Sequence, residues 1–152
     1  MATHKYYWED FKVGDSLVMG SFSLSEAEII EFARRYDPQP FHTDKAAAEQ
    51  SFYGGLIASG WHTCSAVMRL MCDSYLLESA SLGSPGIDEL RWLRPVRPAD
   101  VLTAKRTILE SRVSSSKPEM GIVKSQWEVF NQRDECVMTM AGLQMFRRRV
   151  PA

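Results

Sequence analysis

The sequence predicts an α+β fold, in which a five-stranded antiparallel sheet wraps around one long central helix. Helical periodicity dominates the first half of the chain, whereas strand-like segments separated by turn residues fill the second half. Between them, residues 61–77 are apolar on nearly every helical face and include only two charged side chains, Arg69 and Asp73. Such a helix needs cover on almost all sides, and the strands that follow can supply it.

Length and composition favour one domain. With 152 residues and 45% hydrophobic composition, the chain can bury a core but is too short for two ordinary domains, so a single domain is expected over residues 1–152. Eighteen Lys and Arg side chains against nineteen Asp and Glu give a formal net charge of −1. Neither nucleic acid nor a membrane is therefore an expected partner, and a small substrate is expected instead.

The compartment is predicted from what the sequence lacks. Its start has no apolar stretch of signal-peptide length, and no later run approaches the length of a membrane span, so a soluble cytoplasmic protein is expected. The three cysteines, Cys64, Cys72 and Cys136, form an odd set without Cys-x-x-Cys spacing. That pattern argues against a disulfide framework and against a metal site, and favours buried, hydrophobic cysteines.

The elements of the first half follow from local signals. Residues 16–24 are short and β-leaning, and they predict an opening strand. Ser25 and Glu28 have capping-box spacing, and apolar residues then recur at helical intervals, which predicts a helix over residues 26–36. The prolines at 38 and 40 disfavour helix in the residue before each, so residues 37–42 are expected to form a stiff extended loop, followed by a short helix over 44–50.

The central helix is predicted to begin near Ser59 and Gly60, after a break at Gly54 and Gly55, and to continue to about Leu77. Period-two alternation is clearest over residues 123–129, where apolar and polar side chains take turns. Four consecutive strands are predicted, over residues 87–94, 101–112, 120–131 and 135–147. Together with the opening strand they give the five-stranded sheet.

Candidate chemistry is concentrated between residues 37 and 60. Asp37 and His42 lie on the proline-braced loop with Gln39 between them, and proline restriction lowers the entropy lost in fixing a carboxylate and an imidazole as a proton-transfer pair. The glycine-rich segment 53–60 leads into the central helix. A helix that begins at Gly60 exposes unpaired N–H groups, which stabilise a carbonyl oxygen that gains negative charge.

Each of these features also has a purely structural interpretation. An Asp before Pro is commonly a turn former, a single His is commonly a hydrogen-bonding residue, and glycines commonly start helices. Their co-occurrence within 24 positions favours the functional interpretation.

Two segments of the chain resemble a known family. Residues 32–63 (FARRYDPQPFHTDKAAAEQSFYGGLIASGWHT) are similar to the signature of MaoC-like dehydratases, the group of (R)-specific enoyl-CoA hydratases. Residues 89–112 (ELRWLRPVRPADVLTAKRTILESR) resemble the strand, turn and strand that follow the central helix in that family. The resemblance implies a hot-dog fold and a hydro-lyase that acts on a 2-enoyl thioester, with enoyl-CoA as the expected substrate, to give an (R)-3-hydroxyacyl-CoA or the reverse.

The resemblance also implies roles for individual residues. Asp37 and His42 correspond to the pair that holds the water added to the β-carbon, and one of them delivers the proton that reaches the α-carbon. Gly60 corresponds to the glycine whose N–H binds the thioester oxygen. No metal or redox cofactor is implied, and coenzyme A arrives only as part of the substrate. One departure is clear: the family's Asp-x-Asn-Pro-x-His motif has Gln39 at the Asn position.

Five residues are candidates for substrate binding. Gln39 keeps a carboxamide but with a longer reach, so it can bind Asp37, water or the loop backbone. Ser59 is either a contact of the substrate or only the N-cap of the helix, and His62 either faces the substrate or packs against the sheet, with packing favoured. Arg94, like its neighbours Arg91 and Arg97, has a guanidinium suited to coenzyme A phosphates, although a solvated strand-end charge is the commoner role. Gly55 completes the set as part of the glycine-rich segment.

The predicted sheet leaves an edge strand open, and pairing of two copies along that edge would satisfy it. At least a homodimer with a continuous ten-stranded sheet is therefore expected, as the family resemblance also implies. Two other functions remain open at the level of sequence. One is an acyl-CoA thioesterase, since the same fold hosts hydrolysis, and the other is a non-catalytic protein that binds an acyl thioester or a partner chain.

Overall fold

A sheet crossed on one face by a long helix forms the centre of the computed structural model, which describes residues 3–149. The strands are Ser16–Phe22 (β1), Ser81–Gly83 (β2), Ile87–Trp92 (β3), Leu102–Val113 (β4), Met120–Phe130 (β5) and Cys136–Arg147 (β6). The helices are Glu26–Tyr36 (α1), Pro40–Thr43 (α2), Lys45–Glu49 (α3) and Gly60–Ser74 (α4), with short 3₁₀ turns at Trp8–Asp10 and Leu76–Glu78.

All strand pairs in the sheet are antiparallel, in the spatial order β1-β4-β5-β6-β2, with β3 also paired to β6. The predicted α+β fold is confirmed. The sheet has a sixth strand because Ser81–Gly83 pairs with the end of β6, where Ser81 lies opposite Phe146. That strand is three residues long and exposed throughout, so it carries no alternating pattern that a sequence could show.

Helix α1 begins where its capping box predicts. The Glu28 N–H donates to Ser25 Oγ and the Ser25 N–H donates to Glu28 Oε1, both at 3.1 Å. The helix buries Ile29 and Ala33 completely, which fixes its inner face against the core. Helix α4 ends at Ser74 rather than near Leu77, because the chain leaves helical geometry at Tyr75 and continues as a 3₁₀ turn.

The sheet covers only one face of α4 within a single chain. Val67 and Met71 are buried, as is the Thr63 side chain, whereas Trp61 and Met68 remain 58% and 47% exposed. The cover predicted for this helix is therefore incomplete within residues 3–149 of the single chain.

The three cysteines are free thiols and partly buried, rather than buried as expected. None of the helices within residues 3–149 combines the length and the apolar character needed to cross a membrane.

Candidate active site

The segment between α1 and α2 carries both residues predicted to handle protons. Asp37 ends α1, and its N–H still donates to the Ala33 carbonyl at 2.8 Å. The prediction of an extended loop over residues 37–42 is wrong for its second half, because Pro40 begins the short helix α2 that contains His42. Proline is favourable at the first position of a helix, since it has no N–H to leave unpaired and its φ is already helical.

The Asp37 carboxylate and the His42 imidazole face each other across this turn. Asp37 Oδ2 lies 3.3 Å from His42 Nε2, with side chains that are 19% and 5% exposed. On the other side of the ring, His42 Nδ1 lies 2.7 Å from the carbonyl oxygen of Ile57. Since a carbonyl oxygen only accepts, we assign the hydrogen to Nδ1, which leaves Nε2 directed at Asp37.

Two neutral side chains donate to the same carboxylate. Gln39 Nε2 donates to Asp37 Oδ1 at 2.8 Å, and Ser59 Oγ donates to Asp37 Oδ2 at 2.7 Å. Partial burial alone would raise the pKa of Asp37, but the hydrogen bonds from Ser59 and Gln39, together with nearby His42, lower it below its ordinary value. Asp37 is therefore a carboxylate at neutral pH, and its oxygens can accept hydrogen bonds from a water molecule.

Gly60 is the first residue of α4, and its Cα lies directly beneath the indole ring of Trp92. A Cβ at this position would overlap that ring, so no larger residue fits while Trp92 keeps its place. Trp92 in turn meets Trp61 edge to face, with ring centroids 5.1 Å apart. The glycine is thus required by a close approach, as the sequence suggests, but the group that approaches its Cα is a side chain of the protein.

A cavity of about 670 Å³ opens beside these residues. Asp37, Gln39, His42 and Gly60 line it together. The remaining wall is largely aromatic or apolar, with two cationic residues, and includes Phe41, Phe52, Tyr53, Trp61, Thr63, Trp92, Val137, Arg94 and Arg97. A carboxylate, an imidazole and the amide end of a fifteen-residue helix therefore meet in one apolar cleft.

Three predicted site residues lie away from the cavity wall. His62 packs, as the favoured interpretation expects, but against α1 rather than the sheet: its ring stacks on Phe32 with centroids 4.5 Å apart. Burial lowers the pKa of His62, partly offset by the charge of Glu28. Gly55 lies beside Arg97, and Ser59 lies behind Asp37.

Arg94 does line the cavity, where its guanidinium forms an ion pair with Glu135 at 3.2 Å. Sequence reasoning missed the contact of Trp92 with Trp61 and the hydrogen bond that Arg97 Nη2 donates to the Tyr53 carbonyl at 2.5 Å. Both contacts join segments more than thirty residues apart, so no local sequence pattern predicts them. Among residues 3–149, no group of three or more His, Cys, Asp or Glu side chains is placed to hold a metal ion.

Comparison with known proteins gives consistent results. A family model described as "MaoC like domain" matches residues 12–128. The crystal structure of the MaoC-like dehydratase from Rhodospirillum rubrum is 40% identical, covers 95% of this chain and 99% of its own, and superposes with a TM-score of 0.87. The monoamine oxidase regulatory protein from Archaeoglobus fulgius is 28% identical over 99% of both chains, with a TM-score of 0.86.

A more distant neighbour shares the fold. The (R)-hydratase PhaJ1 from Pseudomonas aeruginosa is 22% identical, matches 94% of this chain and 86% of its own, and has a TM-score of 0.77. The hot-dog fold implied by the sequence is therefore confirmed.

Proposed function

This chain belongs to the MaoC-like dehydratase family, and on that premise we propose that it adds water to a 2-enoyl thioester or removes it from a 3-hydroxyacyl thioester. One observation carries the proposal: Asp37 and His42 lie 3.3 Å apart in a cavity that Gly60, at the head of α4, also lines. That is the minimum set for adding water across a double bond conjugated to a carbonyl group.

The hydration direction uses these groups in turn. A water molecule held by Asp37 and His42 adds its oxygen to the β-carbon while its proton passes to the pair. The electron pair of the double bond moves toward the thioester carbonyl, and the charge that develops on that oxygen is stabilised by the Gly60 N–H and the positive end of α4. The pair then returns the proton to the α-carbon, which gives a 3-hydroxyacyl thioester with atoms and charge in balance.

We propose coenzyme A as the carrier of the acyl group, with the (R) stereochemistry that the family resemblance implies. Arg94 and Arg97 line the same cavity as the reacting groups, and guanidinium groups suit phosphate oxygens. No metal or redox cofactor enters this scheme, and the cytoplasm is the proposed compartment.

The test is the loss of the ultraviolet absorbance of a conjugated enoyl-CoA. Purified protein should remove the absorbance of at least one member of a panel of short, medium and branched enoyl-CoA thioesters. Asp37→Asn and His42→Ala should each lower kcat/KM by at least about 10³-fold, as expected for loss of a proton-transfer group. Asp73→Asn, on the exposed face of α4, and His62→Phe, outside the cavity, are matched controls that should retain activity and fold.

The same assay separates the other candidate functions. Release of free thiol without loss of the double bond would identify a thioesterase instead. Tight acyl-CoA binding without turnover, unchanged in Asp37→Asn, would identify a non-catalytic binding protein. A panel with no absorbance change and no thiol release would contradict the proposed function.

We further propose a homodimer that forms through β3. Its outward edge has no strand partner in the part of the chain that the structure describes, and five of its six residues are exposed. Ile87 and Trp92 are 51% and 46% exposed, and Trp92 contacts the exposed Trp61 of α4. Pairing of two β3 strands would continue the sheet and bury this surface. Light scattering should give twice the chain mass, and a monomer at micromolar concentration would contradict the proposal.

A further inference from the structure

We propose that Ser59 is a positioning residue that fixes the Asp37 carboxylate relative to the Gly60 amide. The inference rests on the proposed function, because it concerns how the two halves of that site are held together. It also replaces the two roles that the sequence suggests for Ser59, a helix cap or a contact of the substrate.

The hydroxyl of Ser59 does not cap helix α4, although Ser59 is the N-cap residue. Ser59 is the N-cap residue of α4, where a serine side chain normally accepts a hydrogen bond from an N–H of the first turn. No such bond forms here. The side chain, which is 0% exposed, donates instead to Asp37 Oδ2 at 2.7 Å. A helix that forgoes its cap bond loses about 1 kcal/mol of stabilisation, and that loss here accompanies a bond to the site.

The backbone of Ser59 positions the other half of the site, the Gly60 N–H at the start of α4. Its carbonyl accepts the N–H groups of His62 and Thr63 at 3.0 and 3.2 Å, which starts the helix. The peptide bond that follows it carries the N–H of Gly60. The side chain therefore holds the proton acceptor, while the main chain of the same residue carries the amide proposed to bind the thioester oxygen. The separation of these two groups is set by the geometry of one residue.

The hydrogen bond from Ser59 to Asp37 also determines which carboxylate oxygen is available to bind water. Oδ2 receives the Ser59 hydrogen bond and faces His42 Nε2 at 3.3 Å, whereas Oδ1 receives only the Gln39 amide at 2.8 Å. Because Ser59 Oγ and the His42 ring both lie against Oδ2, Oδ1 is the less crowded oxygen and the one that a water molecule can reach. Loss of Ser59 would free the carboxylate to rotate and would exchange the two oxygens.

The charges around Asp37 are few. His42 on α2 is the titratable group that faces it at close range, and Arg94 and Arg97 share the cavity from the segment after β3. Since the Ser59 hydrogen bond lowers the pKa of Asp37, its removal should raise that pKa toward the ordinary value. Activity that needs the carboxylate would then be lost at a higher pH as the solution is acidified.

The experiment compares Ser59→Ala and Ser59→Cys with Ser65→Ala, a serine on the exposed side of the same helix. For Ser59→Ala we expect kcat to fall about 10- to 100-fold with little change in KM, and the acidic limb of kcat/KM to move to higher pH. Ser59→Cys keeps a donor at the same position, but a weaker one on a somewhat larger atom, so it should lie between wild type and Ser59→Ala. Ser65→Ala should match the wild type.

A second measurement does not depend on turnover. Carbon-13 NMR of the Asp37 carboxyl group in the wild type and in the Ser59 variants reports its titration directly. A higher Asp37 pKa in both variants supports the positioning role of Ser59, whether or not the protein hydrates a thioester. If the pKa rises but no thioester is hydrated, only the proposed function is contradicted. An active wild type whose acidic limb and Asp37 titration are both unchanged by Ser59→Ala would overturn the inference.

Discussion

The two ends of helix α4 both carry buried polar groups, yet only one end opens to solvent. At the N-terminal end, Asp37, His42 and Gly60 line a cavity of about 670 Å³. At the C-terminal end, the hydroxyl of Tyr75 donates to Gln144 Oε1 at 2.9 Å, and both residues are buried. Both clusters are polar and hydrogen-bonded, but they lie in opposite settings.

The difference lies in what remains available to a ligand. The guanidinium of Arg106 stands 4.5 Å from the centre of the Tyr75 ring and 5.5 Å from that of Phe11, so aromatic surfaces close this end. Burial raises the pKa of Tyr75, with opposing effects from Arg106 and Gln144. Burial and a perturbed pKa thus occur at both ends, and the open cavity with a proton acceptor distinguishes the candidate site.

The sharpest way to test the N-terminal end is Gly60→Ala. The added Cβ must displace the indole of Trp92, which forms part of the cavity wall. We expect kcat/KM to fall at least about 100-fold, because displacement by about 1 Å has that effect in a preorganised site. Steady-state kinetics with the best enoyl-CoA measures it, with Ser65→Ala as the control. Unchanged kinetics would show that Trp92 moves aside at no cost.

Tyr75→Phe tests the closed end and should alter stability alone. It leaves the buried Gln144 carboxamide without its hydroxyl donor, so the free energy of unfolding should fall by about 1–3 kcal/mol in urea titrations. Adding Gln144→Leu should recover most of that loss, since both polar partners are then gone. A drop in kcat/KM for Tyr75→Phe would show that the two ends are coupled.

The smallest expected effect is that of His62→Phe, which tests whether His62 packs against α1 and not in the cavity. His62 stacks on Phe32 while His42 faces the cavity, and burial lowers the pKa of His62. Between the ordinary pKa and this lowered value the unfolded chain binds more protons, so wild-type stability should fall as pH drops from about 7.5 to 5.5. His62→Phe keeps the aromatic stack but has no titrating ring, so its Tm should fall less than that of the wild type over that range. An equal loss in both proteins would contradict this assignment.

Much of the fold was accessible from sequence because its signals are local. The capping box places the start of α1 at Glu26, and the alternation over residues 123–129 predicts a strand that the structure extends over Met120–Phe130. The pairing of Asp37 with His42 follows from a motif of six residues. In each case, the information lies within one turn or one strand.

The contacts that could not be predicted from the sequence join segments that are distant in the chain. The indole of Trp92 reaches Gly60 only because β3 ends beside the head of α4, and Ser59 reaches Asp37, which lies 22 positions before it in the chain. The helical turn at Pro40 was missed for a different reason, since proline both stops one helix and favours the first position of the next. Hydrogen-bond partners of a serine or a histidine are set by packing rather than by neighbours in sequence.

Trp92 belongs both to the exposed edge of the sheet and to the wall of the cavity. The indole ring packs directly against the Cα of Gly60. A molecule that binds along β3 and shifts the strand would therefore also move this ring. Self-association and ligand affinity would then be thermodynamically linked, and the affinity for an acyl thioester would depend on protein concentration near the dissociation constant of the assembly.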